Sequence, residues 1–337
     1  MTEGDAPHDD ADTPIKAVPV RHPGRWVTAA VLLLAVAMVV NTLLSKIPSA
    51  TGKGQQWRFG WDLVGQILFS APYLQGAVLT LWLTFVAMLV GIVGGLLVAS
   101  LRLSPNPLLS GTAWTYTWFF RGTPVIVQIF FWYNIASIYP TLTLGVPFGP
   151  AFWHLDPLTV FTGFVAAAIL GLGLNEAAYM SEIVRGGILS VDAGQLEASQ
   201  SLGMGRLRTL RRIVLPQAMR VIIPPTGNEV ISMLKYTSLA AFVGMGELDY
   251  QAQQTQASTF RAIPPFIAIS LWYLAMTTVL SIGQYFLERH YRRGTAADRP
   301  DRLVQLWTRM VTKRHVEVFP PAGAFDPLPS ARGAGHG

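Results

Sequence analysis

The run Leu63–Leu101, LVGQILFSAPYLQGAVLTLWLTFVAMLVGIVGGLLVASL, contains no charged residue. A helix rises about 1.5 Å per residue, so about 20 apolar residues cross the hydrocarbon of a bilayer. Leu74–Leu101 is long enough for one crossing. Gly91, Gly94 and Gly95 give it a small-residue face on which a second helix can lie close. It lacks the alternation of a barrel strand. In lipid, every backbone polar group must be satisfied inside the protein, which leaves helices or a closed barrel. The expected fold class is therefore all-α: a polytopic membrane helical bundle.

Working outward, similar runs occur at Trp26–Leu44, Thr123–Tyr139, Leu158–Met180, Val221–Gly246 and Pro265–Leu287, so six transmembrane helices are expected. Lys16, Arg21 and Arg25 precede the first run, as in a signal peptide. The apolar stretch is too long for one, and no clear small-x-small cleavage site follows. It reads as a retained span. Thr123 and Pro124 have the chemistry of an N-cap and a first helical residue. The expected layout is a disordered tail over 1–22, an extra first span over 23–45 and an external loop over 46–73. A five-span core over 74–289 and a C-terminal tail over 290–337 follow. In that tail Leu303, Leu306, Trp307 and Met310 form an apolar stripe. It suits either an interfacial helix or a disordered segment.

Apolar residues make up 51% of the 337-residue chain and charged residues 13%. A soluble domain carries about a quarter charged residues, so soluble, disordered and collagen-like classes are disfavoured. No cysteine is present, which excludes disulfides and thiolate-ligated metals. Of the 25 Lys and Arg, twenty fall on the side of the termini and four on the other, with Lys235 inside a span. The positive-inside rule places both termini and the Arg-rich loop in the cytoplasm. The net charge of +6 thus reports topology, and no nucleic-acid partner is expected.

No phosphate-binding loop G-x-x-x-x-G-K-[ST], no H-E-x-x-H and no G-x-S-x-G occurs. The six histidines are scattered through tails, span ends and one external loop, so no metal site is expected. A non-catalytic membrane role such as transport leads.

The loop after the fourth span, residues 190–216, is the most informative. Asp192 and Gln195 have capping-box spacing. Gly203 can end a short helix in a left-handed turn. Leu207, Leu210 and Val214 make an apolar stripe on a second helix, which Pro216 is expected to break. Two compact helices with a glycine joint can transmit a push from a soluble partner. The bland alternative is a connector whose arginines only fix topology.

Residue identities sharpen that choice. Glu197-Ala198-Ser199, then Gly203, then Ile213-x-Leu215-Pro216 resembles the EAA loop of ABC importer permeases, with Ser199 where alanine is usual. Phe120-Arg121-Gly122-Thr123-Pro124 with Gln128 is similar to their F-R-G-T-P segment. Ala178–Ile188, Pro224–Glu229 and Leu234–Leu239 resemble the segments flanking the loop. Together these span about Leu74–Arg289 and point to the permease subunit of polar amino-acid importers, histidine/glutamine type. The resemblance implies a MetI-like permease fold in the cell membrane. It also implies docking of ABC ATPase subunits through Glu197, Ala198, Ser199, Gly203, Ile213, Leu215 and Pro216, a second permease subunit and an extracellular solute-binding protein. No cofactor belongs to this chain; ATP and Mg²⁺ sit on the partner ATPase. Two features depart from the family pattern: the extra first span and the long C-terminal tail.

Charged and strongly polar groups inside a bilayer are costly and face a cavity or a partner. The candidates for a substrate path are Gln128, Asn175, Glu176, Glu229, Lys235, Thr237 and Ser238. A zwitterion needs a cation for its carboxylate and an acid for its ammonium. An interhelical structural network is the alternative for each. Glu182 and Arg185, three apart, are expected to pair. Glu247 and Asp249, at the outer mouth, are expected in a solvated loop, with contact to a binding protein as the alternative. Two rival functions stand beside this reading: a membrane-embedded enzyme with Glu176 and Glu229 as paired acids, and an ion-coupled transporter, for which no internal repeat is seen.

Overall fold

The structure is a computed structural model that describes residues 23–48, 55–138, 142–145, 151–155 and 163–292. The expected tails, with the stripe Leu303–Met310, lie outside the described residues. The chain divides after Tyr285 into two compact units. Of the second, only the closing residues of the last helix are described.

The described residues are mostly helical. Helix α1, Pro23–Leu43, is followed by an antiparallel hairpin of β1 (Lys46–Pro48) and β2 (Gln55–Trp57). Lys46 lies over the Trp57 ring, and the Trp61 indole N–H donates to the Leu43 carbonyl at 2.8 Å. The segment expected as an external loop thus holds a hairpin and a short helix, α2 (Trp61–Ile67). Then come α3 (Ala71–Arg102), α4 (Pro107–Gly122), α5 (Val125–Ile138) and a second hairpin, β3 (Leu142–Gly145) with β4 (Ala151–Leu155). The chain continues through α6 (Phe164–Leu189), α7 (Ala193–Ser201) and α8 (Arg206–Thr209). A wide π turn, Leu210–Val214, leads into α9 (Leu215–Tyr236) and a 3₁₀ segment, Thr237–Val243. The last helices are α10 (Leu248–Thr259) and α11 (Ile263–Arg292).

Among the described residues four helices are long and apolar enough to cross a membrane: α1, α3, α6 and α11. The two other expected spans fall on a shorter apolar helix, α5, and on the proline-containing α9. Pro124 separates α4 from α5, and α9 carries Pro224 and Pro225 before it tightens into the 3₁₀ segment. Gly244, at φ +88°, ends that segment. The fourth span extends beyond its expected end at Met180 to Leu189. It can do so because Glu182 is neutralised by Arg185 at 2.7 Å and Arg102 at 3.4 Å.

The seam between α3 and α6 is built on the small-residue face. A methyl group on Gly91 would lie 2.3 Å from Glu176 Cγ. One on Gly95 would lie 2.5 Å from Met180 Cβ and 3.1 Å from its carbonyl carbon. Gly171 lets the α5 backbone approach in the same way, at Ile129. Three apolar clusters lie along the bundle. One centres on Leu83, Ile129, Leu172 and Met233, another on Tyr73, Leu234, Leu248 and Ile269. The third, with Ala99, Met180, Val184, Val191, Val214 and Ile222, seats the segment between α6 and α9.

Candidate functional site

The segment between α6 and α9 is rigid by construction. The Asp192 carboxylate caps α7 by accepting from the Gly194 N–H at 2.8 Å. At the other end Gly203, φ +69°, closes a Schellman turn in which Met204 N–H donates to Ser199 O and Gly203 N–H to Gln200 O. The Ser199 hydroxyl is buried, 3.1 Å from that of Thr209, and so ties α7 to α8. A serine at this position therefore supplies a contact that alanine would not.

Two expectations for this segment need correction. Pro216 does not break a helix: α9 starts at Leu215 with Pro216 inside its first turn. The preceding π turn lets Leu215 N–H reach back five residues to Leu210 O, and a proline in the first turn needs no donor. The same extra residue rotates the expected stripe, so that Val214 is buried while Leu210 and Leu207 are exposed. Leu207 and Leu202, 77% and 80% exposed, flank Glu197 and Ala198, which are exposed too. Beside them Gly203, Arg206, Leu207, Arg208, Arg211 and Arg212 line an open, basic cavity of about 720 Å³. Ile213 is half-buried, and Leu215 and Pro216 are exposed.

The second constellation surrounds the break between α4 and α5. The Phe120 carbonyl would normally accept from residue 124, which is proline and has no N–H. Two side chains replace the missing donor: Asn175 Nδ2 at 2.7 Å and Gln128 Nε2 at 2.9 Å. Gln128 also reaches the Thr123 hydroxyl at 2.7 Å. Thr123 does not cap α5 as expected; its hydroxyl donates back to Phe119 O. Thr237 and Ser238 likewise donate to the carbonyls three residues earlier, at the change from α9 to 3₁₀. Gln128, Asn175 and Thr237 are buried. Lys235 is exposed near the end of α9.

The acids differ. Glu176 is buried on α6 against Gly91, and its Oε1 has no hydrogen-bond partner among the described residues. Half-buried Glu229, on α9, is close enough to act on it electrostatically. Glu247 was expected in a solvated loop and is instead fully buried. It caps α10, accepting from the Asp249 and Tyr250 N–H groups at 2.7 and 3.0 Å and from the Tyr273 hydroxyl at 2.9 Å. Outside the spans, Asp62 meets Arg261 through two contacts of 3.1 and 3.3 Å. That guanidinium holds the Asp62 carboxyl below the usual carboxylate range. No group of His, Asp and Glu that would hold a metal is found among the described residues.

The described residues thus form a bundle of apolar helices with a capped segment between α6 and α9 that presents apolar and basic groups. Residues 91–293 match the family described as the binding-protein-dependent transport system inner membrane component. The chain belongs to that family. It is 43% identical to the arginine transport system permease protein ArgU of Corynebacterium glutamicum, with 84% of each chain covered. To the glutamine transport system permease protein GlnP of Escherichia coli it is 34% identical over 70% of this chain and 99% of that one. A crystal structure of an amino acid ABC transporter with histidines superposes with a TM-score of 0.57 at 32% identity, covering 67% of this chain and 97% of that one. The inward-facing MetNI methionine transporter shares the fold, with a TM-score of 0.54 at 20% identity over 67% and 100% of the two chains. This inner membrane component is thus a multi-pass transport subunit and not an enzyme; neither rival function is favoured.

Sequence reasoning missed two features of it. The stretch between the second and third expected spans is no loop: Asn106 caps α4 by accepting from Leu108 N–H. Arg121, counted among the cytoplasmic loop charges, therefore lies in the last turn of that helix, over the Tyr179 ring at 5.1 Å. The Pro107 start was a readable signal for α4. The burial of Glu247 had no signal, because its partners Thr80 and Tyr273 come from distant helices.

Proposed function

We propose that this chain is the permease subunit of an ATP-driven importer for a polar amino acid. One observation carries the reading: Glu197, Ala198 and Leu202 are open to solvent, while Val191 packs into the cluster that seats the segment and Ser199 ties α7 to α8. A surface that is open and also rigidly seated transmits force. ABC ATPase subunits dock on this face with their ATP and Mg²⁺; Gly203, Ile213, Leu215 and Pro216 set its geometry. A second permease subunit completes the pathway, and an extracellular solute-binding protein delivers substrate. Both termini are cytoplasmic, as the basic residues require.

Within the bundle, Glu176 and Glu229 are the substrate-facing acids and receive the ammonium group. Gln128 and Asn175 hold the break at Phe120, and Thr237 and Ser238 shape the end of α9. Lys235 faces the outer part of the path. The relatives named for arginine and glutamine support a polar amino acid as cargo.

The test is Glu197→Arg in the complex reconstituted with its ATPase and binding protein. Reversing a charge at a docking hot spot costs about 2 kcal/mol, or roughly 30-fold in affinity. Uptake and substrate-stimulated ATPase activity should both collapse at unchanged membrane level. Coupled uptake at the normal rate would overturn the reading.

A further inference from the structure

Between Glu197 and Glu229 the sequence holds five arginines and no acid. Four of them, Arg206, Arg208, Arg211 and Arg212, line the open cavity of about 720 Å³ on α8 and the π turn. All four are exposed, and among the described residues none has a carboxylate within ion-pair distance. Arg211 and Arg212 follow Arg208 by three and four residues. Like charges at that spacing repel along a helical segment. The positive-inside rule asks only for charge on the cytoplasmic side. It does not ask that four guanidinium groups converge on one space without a counter-ion. An anion held there offsets their repulsion.

Two observations put this rim at the membrane surface. Val214, two residues beyond Arg212, packs into the same apolar cluster as Ala99, which lies one turn short of the end of α3 at Arg102. The rim therefore adjoins the end of a spanning helix. Leu207 and Leu210, interleaved with the arginines, are exposed, Leu207 to 77%. Basic groups mixed with open leucines suit the headgroup level of a bilayer, where leucine meets acyl chains and arginine meets phosphate. A guanidinium fork matches two phosphate oxygens at once.

We propose that Arg206, Arg208, Arg211 and Arg212 bind the phosphate headgroup of an anionic phospholipid in the cytoplasmic leaflet. This site rests on the cytoplasmic placement of the segment in the permease reading. Basic residues clustered directly beside a span meet anionic lipid through the same charge complementarity. The lipid contact lies next to the α7 face, on separate residues.

The test uses the permease–ATPase complex in detergent and three probes: dihexanoyl phosphatidylglycerol, dihexanoyl phosphatidylcholine and inorganic phosphate. Each arginine beside an anionic headgroup is worth about fivefold in affinity, so wild type should bind phosphatidylglycerol at least about 25-fold tighter than phosphatidylcholine. Arg211→Gln combined with Arg212→Gln should cut that ratio about tenfold or more, whereas Arg220→Gln, outside the cavity, should change it by less than about twofold. Should the double variant fail to fold, Arg206→Gln combined with Arg208→Gln carries the test by the same criterion. An unchanged ratio in a folded double variant, or an equal fall in Arg220→Gln, overturns the site. Equally tight binding of inorganic phosphate overturns it too, as a free-anion site. Release of the ATPase by the double variant with the lipid ratio intact gives the rim to the ATPase instead. Each of these results leaves the permease reading standing, because that reading falls only if Glu197→Arg keeps coupled uptake.

Discussion

Two buried carboxylates in this bundle have opposite surroundings. Glu247 lies where α3, α10 and α11 meet, and two backbone N–H groups and a tyrosine hydroxyl point at it. Glu176 lies on the α3–α6 seam, with an oxygen that nothing in the described chain meets. A buried charge is stable only when its hydrogen bonds are met. The first acid is therefore part of the frame. The second leaves an oxygen unmatched on a helix seam, a cost the fold carries. Burial alone does not separate the two roles; the count of donors does.

The comparison breaks if both acids respond alike to substitution. Glu247→Ala removes a helix cap and strands the Tyr273 hydroxyl, so it should lower stability by about 3 kcal/mol or more, read as a fall in the thermal midpoint of the purified protein. Glu176→Gln should leave that midpoint unchanged or raise it, since it replaces an unsatisfied buried carboxyl group without changing volume. Its effect belongs in uptake, which should fall about tenfold, one lost charge-assisted contact. The smallest effect comes from a paired but exposed acid. Arg261 depresses the Asp62 carboxyl, so the stability it adds is present above the usual aspartate range and is lost as pH falls through its lowered value. Asp62→Asn should remove that acid-side loss and change the midpoint at neutral pH by well under 1 kcal/mol, because the pair is half-exposed.

Much of the bundle was legible in the sequence because lipid makes a single demand: long uncharged runs. The glycine face of α3, the Glu182–Arg185 pair and the Gly203 turn were readable from spacing alone. Where proline enters, legibility fails. A proline removes one donor, and what compensates is tertiary: Asn175 and Gln128 reach Phe120 O from 55 and 8 residues away. Both amides, expected in a substrate path or a structural network, meet the carbonyl left by the missing N–H at Pro124. Pro216 was misread for a related reason, since the π turn before it is fixed by backbone bonds that no residue type announces. Helix α4 was read as a loop because its aromatic and hydroxyl residues lack the uniform apolar signal of a span.

The π turn also fixes an angle. It holds one residue more than an α-helical turn can, and each helical residue corresponds to about 100° of rotation. Deleting one residue between Leu210 and Val214 would wind the turn tight and swing α8 and the Arg206–Arg212 rim by that amount about the α9 axis. The compass bearing of that basic rim is written in a single surplus residue.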